Sequence, residues 1–350
     1  MLEGEITTDT TVGDCTLRGT VFVKNGATLT ILPGSTIKGE SNSSLFVLQG
    51  SKLIAEGEPT KPIVFTSSKP EGERKAQDWG GIVIIGRSLH QEAGTLPQTE
   101  GTNKQTYGEG NDPNDNSGKL KYVRIEFAGA EVAPGDELNN LSLYTVGKGT
   151  TIEFIQVHMG FDDGVEIWGG RVEPKYILAT GIADDDIDVD EGYFGEIQYV
   201  LGYKYPEAAG ITYSGDPGGF ELDGANDYPQ TSQTRHADFD IKGASNFIVS
   251  NFTMIGSKDK NNIKYGVVRD CARVRFKNGQ FVNFGDSVIK DSSSGDCNTV
   301  GGATQISGLP DSIIDCENVK ADVTNPITKS HHGSNCTIAA NSVSLSDIVI

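Results

Sequence analysis

Residues 162–169 read Asp-Asp-Gly-Val-Glu-Ile-Trp-Gly, residues 184–192 read Asp-Asp-Asp-Ile-Asp-Val-Asp-Glu-Gly, and residues 218–224 read Gly-Gly-Phe-Glu-Leu-Asp-Gly. The first two start 22 residues apart, and the third follows after an insertion. Each alternates apolar with acidic residues between turn formers, as a half-buried strand does. A strand recurring at the spacing of one coil predicts a solenoid whose rungs stack in register. With Val165, Ile167, Ile187, Val189, Phe220 and Leu222 pointing inward, alternation puts the intervening residues outside. Stacking then lines up Glu166, Asp188 and Glu221 in one column and Trp168, Asp190 and Asp223 in the next.

The rest of the chain carries the same rhythm. Short apolar-alternating segments ended by Gly, Pro or Asn occur at 20–26, 27–34, 44–50 and 62–67, and 78–86 reads as a more fully buried strand. Further strands are expected at 120–127, 140–146, 152–157, 176–178, 197–200, 239–241, 247–249, 267–268, 274–276, 288–289 and 313–314. Rungs of about 20–26 residues with three short strands predict an all-β, right-handed parallel β-helix with long loop excursions. The Leu-x-x-Leu-x-Leu pattern of a leucine-rich solenoid is missing, and the near-repeat argues against an antiparallel sandwich. One β-helix domain is expected over 1–350. It has small N-terminal coils at 15–86, an excursion at 87–119, main coils at 120–330 and a strand-like tail at 331–350. Two further excursions are expected at 203–218 and 224–237.

Composition agrees: Gly is 44 of 350 residues, which suits many tight turns. The formal net charge of −19 disfavours nucleic acid and anionic membranes, and no apolar run is long enough for membrane insertion. Among five cysteines, Cys271, Cys297, Cys316 and Cys336 are spaced by 26, 19 and 20 residues, close to one coil each. Neighbours among them can pair between rungs, leaving Cys15 or another thiol over; this suits an extracytoplasmic protein. The N-terminus Met1-Leu2-Glu3-Gly4-Glu5 has no signal-peptide pattern, so export requires a signal outside this sequence or another route, as for a virion component.

The acidic columns are where chemistry is expected. Parallel rungs lie about 4.8 Å apart, so stacked carboxylates raise one another's pKa and call for a cation, a basic partner or shared protons. Calcium takes oxygen ligands, and Asp184, Asp186, Asp188, Asp190 and Glu191 offer enough of them. The loop Asp112-Pro-Asn114-Asp115-Asn116-Ser117-Gly118 offers a second candidate through Asp112, Asn114 and Asn116. In both runs the Gly is one place late for an EF-hand, and a solvated acidic face with Asx turns is the plain alternative. Read as an enzyme, Asp163 with Asp185, or Glu166 with Asp188, would be the carboxylate pair of glycoside hydrolysis, for which separations of about 5 Å or 6.5–9.5 Å serve. Trp168 and Tyr193, beside Glu221 and Asp223, would contact a sugar face. Asp270 and Asp291 are candidates to extend the acidic column. His158 reads as structural, Arg273, Arg275 and Lys277 as a basic strand face, and Trp79 as a buried turn residue.

Segments 19–37, 61–66, 78–86, 107–126 and 162–170 resemble a group of secreted bacterial β-helix proteins of the pectate-lyase-like superfamily, common in marine and Bacteroidetes-type bacteria. The motifs Asn-Asp-Pro-Asn-Asp-Asn-Ser-Gly and Leu-Lys-Tyr-Val-Arg-Ile-Glu-Phe-Ala-Gly carry much of the likeness. The resemblance implies the fold and an extracellular or cell-surface location, and it carries over no activity. Polygalacturonase-type hydrolases are similar in fold, but here His331-His332 follows the basic segment 273–277, so their motif order fails. Calcium-assisted elimination would need an Arg or Lys base, for which Arg171 and Lys175 are nearest in sequence. The expected function is therefore a calcium-binding surface β-helix that recognises polysaccharide or a cell-surface glycan, or builds an adhesive structure with possible self-association. A polysaccharide hydrolase or lyase and a phage tailspike-like receptor-binding protein are the alternatives.

Overall fold

Inward columns of apolar side chains organise the molecule. Ile82, Leu141, Val165, Ile187 and Phe220 stand in successive coils in one such column; Ile84, Leu143, Ile167, Val189 and Leu222 form the next. All ten are almost fully buried. This computed structural model describes residues 1–89, 96–101, 103–133, 136–206, 209–215, 217–224, 245–257, 264–269, 272–284, 289–291, 313–322, 327–328 and 338–339. Within them the chain is a right-handed parallel β-helix. Among the described residues every strand pairing but one is parallel, the exception being the short hairpin Glu131–Ala133 with Asp136–Glu137.

Each coil turns through three strand faces. One face stacks Ser44–Val47, Ile82–Ile85, Leu141–Tyr144, Val165–Trp168, Ile187–Asp190, Gly218–Asp223 and Lys264–Arg269. The other two are continuous through a sharp corner, as in Gly118–Glu126 on Thr151–His158, where pairing runs to Lys121↔Glu153 and resumes at Val123↔Ile155. The corner residues Tyr122, Phe154, Tyr176 and Tyr199 sit at φ 52–60°, and Asn251, Asn278 and Asn318 take the same conformation farther on. A left-handed backbone costs a bulky residue energy, which ring stacking offsets. Successive aromatic centroids are 4.5, 4.3 and 4.6 Å apart and nearly parallel. The asparagines stack instead by amide hydrogen bonds, Asn278 Nδ2 to Asn251 Oδ1 at 3.3 Å and Asn318 Nδ2 to Asn278 Oδ1 at 3.0 Å.

Charges follow the same vertical logic. Arg275 lies beside Asp315 and Lys277 beside Glu317, in register one coil apart, so these two cations are paired with acids of the next coil. Trp79 is fully buried, its indole N–H donating to the Glu126 carbonyl at 2.8 Å. Inside the coil, the Lys204 ammonium pairs with Asp186 at 3.1 Å and donates to the carbonyls of Ile182 and Asp184.

The expected extension of the acidic column does not occur. Val268 fills the inward place beside Leu222, so Val267 follows Glu221, and Lys290 follows Val267. Asp291 stands opposite Val268 instead, and Asp270 lies outside the described residues. Cys15 is a half-buried free thiol, and Cys316 packs against the core. Cys271, Cys297, Cys336, His331, His332, the strand at 239–241 and the excursion at 225–237 lie outside the described residues, as does most of the tail at 331–350.

Candidate acidic site

The columns form as the alternation requires. Ser142, Glu166, Asp188 and Glu221 are successive register partners, and Tyr144, Trp168 and Asp190 form the neighbouring column. Asp223 follows Glu221 by two places, at the head of that second column. Beside both lies a turn column, Asn139, Asp163 and Asp185. Asn139 Oδ1 accepts the Asp163 N–H at 2.9 Å, and Asp163 Oδ1 accepts the Asp185 N–H at 2.9 Å.

Two triplets of carboxylates result, Asp162 with Asp163 and Asp184, and Asp163 with Glu166 and Asp188. In each triplet one oxygen per residue lies within 4.8 Å of the others, and Asp163 belongs to both. Glu166 is almost fully buried although it is on the outer side of its strand, because other segments cover it. The Asn139 amide donates to Glu166, to Ser142 Oγ at 3.2 Å and to Glu100 at 3.2 Å. The excursion supplies Glu100, whose N–H donates to the Tyr144 hydroxyl at 3.2 Å. Tyr107 packs on the Tyr144 ring, centroids 4.7 Å apart, and its hydroxyl donates to Glu191 at 2.5 Å. Lys104 pairs with Asp136 at 2.9 Å, so the excursion is tied down on several sides.

Burial and mutual repulsion shift the acids together. Asp162 is pushed up to about 8, first by burial and then by Glu100 and Asp184. Glu100 is raised to about 7, mainly by burial. Asp163, Glu166, Asp185 and Asp188 are all held well above the ordinary carboxylate range. Burial acts first on each, followed by Asp162, Glu100, Asp163 and Asp163 respectively. Asp186 rises only to about 6, because Lys204 opposes its burial.

The consecutive run does not form one metal loop. Asp186 turns inward to Lys204, Glu191 meets Tyr107, and Asp190 Oδ1 accepts the Glu191 N–H at 2.6 Å. Asp184 and Asp188 fall in different triplets, and Ser214 Oγ donates to Asp184 at 2.6 Å. A strand sends alternate side chains to one face at successive heights, which prevents convergence within a run. In the loop at 112–118, Asp112 Oδ1 accepts the Asn114 N–H and Asn116 Oδ1 accepts the Gly118 N–H, both at 2.9 Å. That is the Asx-turn alternative.

Tyr193 is a correction. Its ring is fully buried against Phe247, and its hydroxyl donates to the Val172 carbonyl at 2.5 Å, so it offers no sugar face. The left-handed backbone at Glu191 (φ 54°) and Gly192 (φ 81°) redirects the chain, ending the strand alternation. Trp168 is partly exposed, but Tyr144 stacks on one of its faces at 5.5 Å and 11°. His158 is half-buried beside Thr180 Oγ1 (2.9 Å), and burial lowers its pKa, so it is structural. Arg171 lies over the Phe194 ring at 5.6 Å. The sequence pointed to Asp162 only as the neighbour of Asp163 in an Asp pair, and it did not point to Glu100, Asn139 or Lys204. Only Asp162, adjacent to Asp163 and repeated by Asp184 one coil later, carried a signal.

Residues 4–347 match the family described as the pectate-lyase-like β-helix domain. The chain belongs to that family. Among solved structures it is similar to pectate lyase Pel9A, at 14% identity and a TM-score of 0.43, covering 94% of this chain and 75% of that one. It is also similar to the catalytic unit of a thermostable GH87 α-1,3-glucanase from Streptomyces thermodiastaticus strain HF3-3, at 13% identity and a TM-score of 0.39, covering 95% and 61%. Tailspike protein 2 of bacteriophage CBA120 matches at 10% identity and a TM-score of 0.34, covering 97% of this chain but 42% of the tailspike domain. No curated protein matches. No helix among the described residues is long and apolar enough to cross a membrane.

Proposed function

We propose that this chain is an extracellular or cell-surface β-helix that binds calcium in the acidic trough and recognises polysaccharide there. The sharing of Asp163 by two carboxylate triplets carries the reading. Oxygens within 4.8 Å of one another suit a calcium ion, whose ligands lie about 2.3–2.6 Å from it. The Asp188 Oδ1 atom is buried without a hydrogen-bond partner, as a ligand waiting for a cation would be. Asp162, Asp163, Glu166, Asp184 and Asp188 would hold the ion, which would supply positive charge for a sugar carboxylate or hydroxyls. Membership of the pectate-lyase-like family supports the carbohydrate part. The coil-spaced cysteines would pair between rungs in the oxidising setting this reading implies.

A second reading rests on a separate observation. Asp162, raised to about 8, keeps its proton at neutral pH beside Glu100, raised to about 7, as a general acid in glycoside hydrolysis must. One experiment decides between them. A panel of acidic and neutral polysaccharides is offered with calcium or with EDTA, while reducing ends and unsaturated products are followed. Calcium-dependent retention without product supports the first reading, and products that appear equally in EDTA support the second. Neither retention nor product on any polysaccharide would overturn both.

A further inference from the structure

One pair of reactive groups lies inside the coil and takes no part in the trough. Lys204 is completely buried and Asp186 almost so, which encloses a primary amine and a carboxyl group together. Both residues are fixed by their backbones. The Lys204 N–H donates to the Ile255 carbonyl at 2.8 Å. The Asp186 N–H donates to the Gly218 carbonyl, and the Asp186 carbonyl accepts the Val165 N–H, both at 3.2 Å. The carboxyl group has room because residue 202 is glycine: a Cβ there would collide with Asp186 Oδ2 and with the Met254 methyl.

The two groups approach as reactants do. The Lys204 ammonium donates to the carbonyls of Ile182 and Asp184, and its Nζ lies 3.1 Å from Asp186 Oδ1. Close as it is, that contact lacks the alignment of a hydrogen bond. Groups held about 3–3.5 Å apart on a rigid frame react with effective molarities of about 10⁵–10⁸ M, which favours a condensation that free solutes in water do not complete. Enclosure acts in the same direction, since a buried ion pair carries a desolvation cost that a neutral amide does not. The product also needs no new partner, because its N–H retains the Ile182 or Asp184 carbonyl as acceptor.

We propose that Lys204 and Asp186 condense into an intramolecular isopeptide bond. The Nζ–Cγ bond forms, one Cγ–O bond breaks, and two ammonium protons leave with that oxygen as water. Ammonium and carboxylate disappear together, so charge balances and no oxidant or cofactor is consumed. The bond ties the turn before Ile187–Asp190 to the end of Glu196–Tyr203, closing a loop as a disulfide would but resisting reductant. The test is the intact mass of the full chain, reduced and unfolded in guanidinium, followed by tryptic mapping. The expected mass is one water below that of the sequence. Trypsin should leave the bond after Lys204 uncut, and fragmentation should place the missing water across Asp186 and Lys204. Lys204→Met and Lys204→Arg should each show the full mass of their sequences. The wild-type mass and map decide even where a variant fails to fold. A cyclic imide at an Asp-Gly step such as Asp163-Gly164 also loses water, but it would persist without Lys204. A wild-type mass equal to that of the sequence, a water loss mapped to any other residue, or one that persists in Lys204→Met would overturn the proposal.

Discussion

Asp163 Oδ1 accepts the backbone N–H of Asp185 from the next coil at 2.9 Å, repeating the bond from Asp163 N–H to Asn139 Oδ1. A side chain thus completes the backbone ladder at a turn where the strand pairing has ended. The bond fixes the height of each acid, so Asp163 cannot swing away from Glu166 and Asp188. The crowding of carboxyl groups is built into the coil stacking, and burial with mutual repulsion raises their pKa values together.

The first consequence is a pH dependence of the cation-free protein. Asp162, at about 8, and Glu100, at about 7, lie above their ordinary values, so the folded state binds more protons than the unfolded one. Stability contributed by such groups is present at acid pH and is lost as pH rises through the folded values. Differential scanning calorimetry in EDTA should show the melting temperature falling between about pH 5 and pH 8.5. Millimolar calcium should reduce that fall. A melting temperature in EDTA that climbs through this window would contradict the assignment.

Removing charge from the trough should stabilise the stripped protein. Asp163→Asn keeps an oxygen for the Asp185 N–H while removing a repelled carboxylate. At pH 8 in EDTA it should melt several degrees above the wild type, about 1 kcal/mol or more. A lower melting temperature would mean that the Asp163 charge is not under strain.

The buried Lys204–Asp186 pair predicts the reverse behaviour. Lys204→Met leaves the Asp186 carboxyl buried beside an apolar chain and should cost about 3–5 kcal/mol in urea unfolding. Adding Asp186→Leu should recover much of the loss, because the pair is then replaced by apolar packing. Equal destabilisation in the single and double variants would show that the ion pair is not the source.

At the corner, Tyr176 stacks between Phe154 and Tyr199 at φ 60°. Tyr176→Ala should lose two ring contacts, each worth about 0.5–1.5 kcal/mol, and keep the backbone cost. Tyr176→Asn should lose less, since asparagine tolerates the left-handed region and already serves at 251, 278 and 318. Urea unfolding of the two variants checks the order.

The fold and the ladder were legible in the sequence because both are periodic. Glu166, Asp188 and Glu221 share a register because each sits between inward apolar residues at coil spacing, which alternation alone reveals. The site around them was not, because its other parts arrive from elsewhere. Glu100 and Tyr107 come from an excursion without period, and Asn139 reaches across 27 residues to Glu166. Turn geometry was equally silent: the left-handed pair Glu191 and Gly192 sends Tyr193 into the core, and the turn before Ile187 sends Asp186 to Lys204. The run at 184–191 therefore does not gather into one loop, while residues one coil apart do come together.

The most direct test is calorimetric titration of calcium into EDTA-stripped wild type and Asp163→Asn at pH 7.5. Calcium binding in the trough predicts saturable uptake by the wild type with release of protons, and at least a tenfold loss of affinity in the variant. Absence of calcium binding by the wild type, or undiminished binding by Asp163→Asn, would contradict it.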